Sequence, residues 1–139
     1  MINMKRMREQ LILHEGIVLD KPYRCTSGKL TIGVGRNLDD RGISEETAMQ
    51  MLDEDINIVH GELLKLFPDF SDMPEIVQES LVDLAFNMGT PTLMKFKATV
   101  AALNSQQWAI AADELLDSRY ARQVGQRAQT IADNIRSCA

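Results

Sequence analysis

Glu15, Cys25 and Thr31 are residues whose types and spacing could do chemistry together. Glu15 stands at the end of a helical stretch, directly before Gly16. A helix C-terminus carries partial negative charge, and a carboxyl placed there and buried in a cleft is held toward its neutral form. A carboxylic acid kept protonated near neutrality can donate a proton to a leaving group, which is general-acid chemistry. Cys25 comes just before the turn Thr26-Ser27-Gly28-Lys29 and Thr31 just after it. A hairpin there brings a thiol and a hydroxyl to one side, where the pair can hold a water molecule. The neighbouring Arg24, with Arg127 as a further candidate, is expected to favour the thiolate, against Glu15 and the helix end. Each residue also has an ordinary reading: a solvated helix-end glutamate, a small apolar cysteine and a threonine chosen for strand propensity.

The elements that must position these groups follow from periodicity. Residues Asn3 to Leu13 read as a first helix, with Met4, Met7, Leu11 and Ile12 on one stripe. From Tyr23 to Val34 the pattern is a hairpin, in which Leu30, Ile32 and Val34 alternate with Thr31, Gly33 and Gly35. The aliphatic face is expected to pack inward. The other face carries one hydroxyl flanked by two glycines, which leaves room for something to lie against the backbone.

Beyond Gly42 the chain reads as helical to its end. Ser44 is a good N-cap, with Glu45 and Glu46 in the first turn. Ala48, Met51, Leu52, Ile56, Val59, Leu63 and Leu66 form a stripe that runs until Pro68. A second helix from about Met73 is expected to bury Val77, Leu81, Leu84, Ala85 and Met88, with Gly89 as its C-terminal cap. Shorter helices follow at about Leu93–Leu103, Gln106–Leu116 and Gln126–Arg136. The fold class is α+β, mainly α, with one small sheet near the N-terminus.

The bulk properties suit this reading. A chain of 139 residues, 45% hydrophobic and 25% charged, fits one compact domain that can bury a core without disulfides. Cys25 and Cys138 are read as free thiols of a reducing compartment, the second frayed at the chain end. The net charge of −5 argues against non-specific nucleic-acid binding. The apolar run Leu11-Ile12-Leu13 is too short for a membrane span or an export signal. His14 and His60 are badly spaced for a metal, so neither metal nor cofactor is expected.

Taken together, the stretches His14-Glu15-Gly16-Ile17-Val18-Leu19, Tyr23-Arg24-Cys25 and Gly28-Lys29-Leu30-Thr31-Ile32-Gly33-Val34-Gly35 resemble the signature of the phage-type lysozymes, the endolysins of the T-even type. The similarity extends to Phe86-Asn87-Met88-Gly89, Ser118-Arg119-Tyr120, Gln123 and Arg127-Ala128, nearly the whole chain. The resemblance implies a single lysozyme-like domain over 1–139, with an N-lobe to about 43, a linking helix at about 44–67 and a C-lobe from about 68. It implies a muramidase acting on peptidoglycan glycan strands, with Glu15 as general acid and Cys25 and Thr31 at the two other catalytic positions. Phe86 and Asn87 fall where the C-lobe meets the sugar chain. Arg127 either approaches Glu15 across the cleft or is an ordinary exposed helix arginine. A monomer is expected, made in the host cytoplasm and released to the wall through a holin.

The chain departs from the family pattern at two points. The second catalytic position is Cys25 where aspartate is commoner. The spacing from Glu15 to Cys25 is one residue longer, and Asp20-Lys21-Pro22 reads as a turn that absorbs it. Asp20 is thereby a rival acid. Three alternatives stay open: a lytic transglycosylase cutting the same bond, an inactive wall-binding or partner-binding relative, and a plain helical interaction protein.

Overall fold

The computed structural model describes residues 1–139 and is 67% helical, with nine helices and a small three-stranded antiparallel sheet. It divides into two compact units, Met1–Gln50 and Met51–Ala139, and the division falls inside a long helix. No helix is long and apolar enough to cross a membrane.

The first unit opens with α1, Met4–Glu15. Asn3 caps it by accepting the Arg6 N–H at 2.9 Å, which satisfies a donor the first turn leaves free. Gly16 ends it at φ +74°, its N–H bonding the Ile12 carbonyl at 2.7 Å. None of the residues of α1 is buried: of the expected apolar stripe, Met4, Leu11 and Ile12 are exposed and Met7 is half-buried.

The sheet has the order β1 (Val18–Arg24), β2 (Leu30–Gly33), β3 (Arg36–Asn37), all antiparallel. The sequence had implied a hairpin alone; β3 is an addition. Asp20-Lys21-Pro22 is strand, not the expected turn. Pairing in β1 is irregular across this stretch, between the pairs Val18 with Gly33 and Tyr23 with Thr31. Pro22, which lacks an N–H, sits in the stretch where pairing lapses.

The facing of β2 is the reverse of expectation. Thr31 is 3% exposed, whereas Val34 is 39% exposed and Leu30 and Ile32 are half-buried. The helix that packs on β2 is α2, Leu38–Arg41, whose four residues are too few to cover the aliphatic face. Thr31 instead turns its hydroxyl into the hairpin's own turn.

The helix α3, Glu45–Leu66, starts on the Ser44 cap, whose hydroxyl accepts the Thr47 N–H at 3.1 Å. Of its stripe, Leu63 alone is buried. The second unit packs α4 (Glu75–Met88), α5 (Thr90–Leu93), α6 (Lys97–Asn104), α7 (Trp108–Leu116), α8 (Arg119–Val124) and α9 (Gln126–Arg136) around one apolar core. Val77, Leu81, Leu84 and Ala85 of α4 are buried as their spacing implies, and Gly89 caps that helix at φ +83°. Met88 is half-buried at the core margin. Cys138 is not frayed: it packs against the core beyond α9.

Candidate active site

Glu15 is the last residue of α1 and is exposed. Its carboxyl lies on the turn between β2 and β3. A β-carbon at Gly35 would come within 3.0 Å of its Oε2 and 3.2 Å of its Cδ. The room that the glycine provides is therefore filled by Glu15 itself.

The hairpin brings Cys25 and Thr31 together. The Cys25 N–H bonds the Lys29 carbonyl at 2.9 Å, and the Gly28 N–H bonds the Cys25 carbonyl at 2.8 Å. The thiol is held below its ordinary pKa, chiefly by hydrogen bonding to the Lys29 and then the Ser27 backbone, with smaller help from the Thr31 and Ser27 hydroxyls. Partial burial opposes them. The Thr31 hydroxyl also donates to the Lys29 carbonyl at 2.9 Å. It has one proton, so it must turn away from that carbonyl to serve a Cys25 thiolate.

Arg24 does not stabilise the thiolate as expected. Its guanidinium donates to the Gly28 carbonyl at 3.2 Å and to Asp39 at 3.3 Å. Asp39 also accepts the Leu30 N–H at 2.7 Å and so braces the turn around Cys25. The sequence reading missed Asp39. Its position two residues after Asn37, the cap of α2, was the available signal.

In the second unit, Phe86 and Asn87 occupy the last turn of α4, both exposed. Phe86, 44% exposed, lines a shallow depression of about 220 Å³ with Leu52, Ile56, Asp83 and Arg127. Arg127 is paired inside its own unit: Nε donates to Asp83 Oδ1 at 2.9 Å and Nη2 to the same oxygen and to the Asp83 carbonyl. Beside this pair the Tyr120 hydroxyl is buried without a partner. Its pKa is raised, first by burial and then by Asp83, while Arg127 pulls it down. Asp83 was not singled out from sequence, because an acid facing α9 from α4 has no local mark.

A small α+β unit carries an acid at a helix end beside a hairpin, and a mainly helical unit follows it in the chain. Residues 13–134 match the family model described as phage lysozyme, and the chain belongs to that family. Membership makes it a peptidoglycan hydrolase of the lysozyme or endolysin type, with the bacterial cell wall as its substrate. No curated protein matches the chain.

Proposed function

We propose that the chain is an inverting muramidase, cleaving the β-1,4 bond between N-acetylmuramic acid and N-acetylglucosamine. Glu15 donates its proton to the leaving oxygen, and the glycan laid over it supplies the desolvation that free Glu15 lacks. Water held by Cys25 attacks the opposite face of the oxocarbenium-like centre, its proton passing to the thiolate. Thr31, buried under the turn, orients the thiol. Phe86 stacks on a sugar face, Asn87 hydrogen-bonds its polar groups, and Arg127 offers the donors on Nη1 that its pairing with Asp83 leaves free.

The observation that carries this reading is the hairpin that brings Cys25 beside the buried Thr31, at the position where the family more often has aspartate; the lowered pKa of the thiol adds that it is readily ionised there. The test is mass spectrometry of fragments released from purified peptidoglycan. Reducing N-acetylmuramic acid ends with inverted configuration are expected; anhydro ends would make the protein a transglycosylase instead. Glu15→Gln, nearly isosteric but unable to act as the acid, is expected to lose at least about a hundredfold in rate. A Glu15→Gln variant that clears a cell-wall suspension at wild-type speed would overturn the assignment.

A further inference from the structure

We propose that Gly35 is a positioning residue for the Glu15 carboxyl, an inference that rests on the reading of Glu15 as the acid. Seven glycines of the chain have positive φ, so backbone conformation alone accounts for glycine at each of them. Gly35, at φ +64°, is the one whose missing side chain is also occupied closely by another group. The site of its β-carbon lies 3.0 Å from Glu15 Oε2, 3.2 Å from Cδ and 3.4 Å from Cγ. Gly42, at φ +56° in the same unit, meets nothing within 4 Å. The two glycines thus share a backbone requirement and differ in what rests on them.

The contact matters because Glu15 is an exposed side chain with several free torsions at the end of α1. A proton donor works when it is held near the leaving oxygen, and a misplacement of about 1 Å can cost on the order of a hundredfold in rate. The bare backbone at Gly35 gives the carboxyl a surface to lie on. A methyl group there pushes it off by a few tenths of an ångström, since the carboxyl end of the side chain moves more easily than the turn.

The test compares Gly35→Ala with Gly42→Ala in the full chain. Both place a β-carbon on left-handed backbone, and both are expected to lower the melting temperature by similar amounts. Gly35→Ala is expected to lower kcat by about five- to tenfold with KM little changed, and to shift the carbon-13 resonance of the Glu15 carboxyl. Gly42→Ala is expected to leave kcat and that resonance unchanged. If Gly35→Ala keeps both at wild-type values while its stability falls, the glycine serves the turn alone and the proposal fails. Should Gly35→Ala not fold, Gly35→Asn adds the same β-carbon on a residue that tolerates left-handed backbone, and the same two readouts decide. The Glu15→Gln result separates the two readings. An active Glu15→Gln removes the acid itself, whereas a dead Glu15→Gln beside an unimpaired Gly35→Ala removes the role of Gly35 only.

Discussion

The two units are ordered by different physics. Up to Gln50 the helices begin on side-chain caps, with Asn3, Asn37 and Ser44 each accepting a backbone N–H. Asp39 braces the hairpin, and the one buried residue is Thr31. Beyond it the helices α4, α5, α6, α7 and α9 start without any side-chain cap, and Ser118 at α8 is the exception. Every buried hydrophobic residue of the protein lies at or after Leu63. A cap contributes about 1 kcal/mol, a buried Leu or Phe roughly two to three times as much. Local polar contacts thus hold a small unit that presents its groups to water, and apolar packing holds a larger one that need not.

The sharpest way to break this contrast is to remove one large side chain from each unit. Phe67 is fully buried in the core, and Phe67→Ala is expected to cost about 3–5 kcal/mol through lost contacts and a residual cavity. Leu19, on β1 and 79% exposed, should tolerate Leu19→Ala within about 0.5 kcal/mol. Thermal melts of the two variants check both values. Equal losses would mean that the first unit has an apolar core of its own.

The same contrast explains what the sequence disclosed. The helices of the second unit are legible because a period of 3.6 and burial coincide there: Val77, Leu81, Leu84 and Ala85 all enter the core. The hairpin is legible from its turn residues, but its facing is not. Alternation of Leu30, Ile32 and Val34 says which residues share a side; it says nothing about whether anything covers them. Thr31 is buried by the turn's hydrogen bonds, which hydrophobicity does not register. Likewise Gly16 marks where α1 stops, yet the contact of Glu15 with Gly35 joins residues twenty apart and leaves no local trace. The pairing of Arg127 with Asp83 is invisible for the same reason.

The two cysteines, one per unit, sharpen the comparison at the level of a single atom. Cys25 sits among polar backbone groups that favour its thiolate, while Cys138 packs against the apolar core. Cys25 is an acid whose pKa is lowered, so its thiolate persists to lower pH than that of an ordinary cysteine and is lost only as pH falls through the lowered value. Alkylation of Cys25 by iodoacetamide is therefore expected to outpace that of a cysteine peptide near neutrality, with its pH profile displaced to lower pH. If the thiolate serves the reaction, the rising limb of the activity profile follows the same displaced titration. Cys25→Ala should then lose about tenfold or more in rate, and Cys25→Asp should recover much of it. Cys25→Ala hydrolysing peptidoglycan as fast as wild type would reduce the residue to packing.

The smallest expected effect lies where the second unit departs from its own apolar logic. Tyr120 is 6% exposed and its hydroxyl has no hydrogen-bond partner, beside the ion pair of Arg127 and Asp83. An unpaired buried hydroxyl costs desolvation without return, so Tyr120→Phe is expected to be neutral or to stabilise by up to about 1 kcal/mol. The pH dependence has a definite sign. Burial raises the pKa of the phenol in the folded state above its unfolded value. Stability is then fully present below the ordinary tyrosine range and declines as pH climbs from that range through the raised value, because the unfolded chain ionises first. Melting temperatures measured across that alkaline window should fall less steeply for Tyr120→Phe than for the wild type. A destabilised Tyr120→Phe at neutral pH would show instead that the hydroxyl holds a bond, to Asp83 or to an ordered water, that stabilises the packing of α8 and α9.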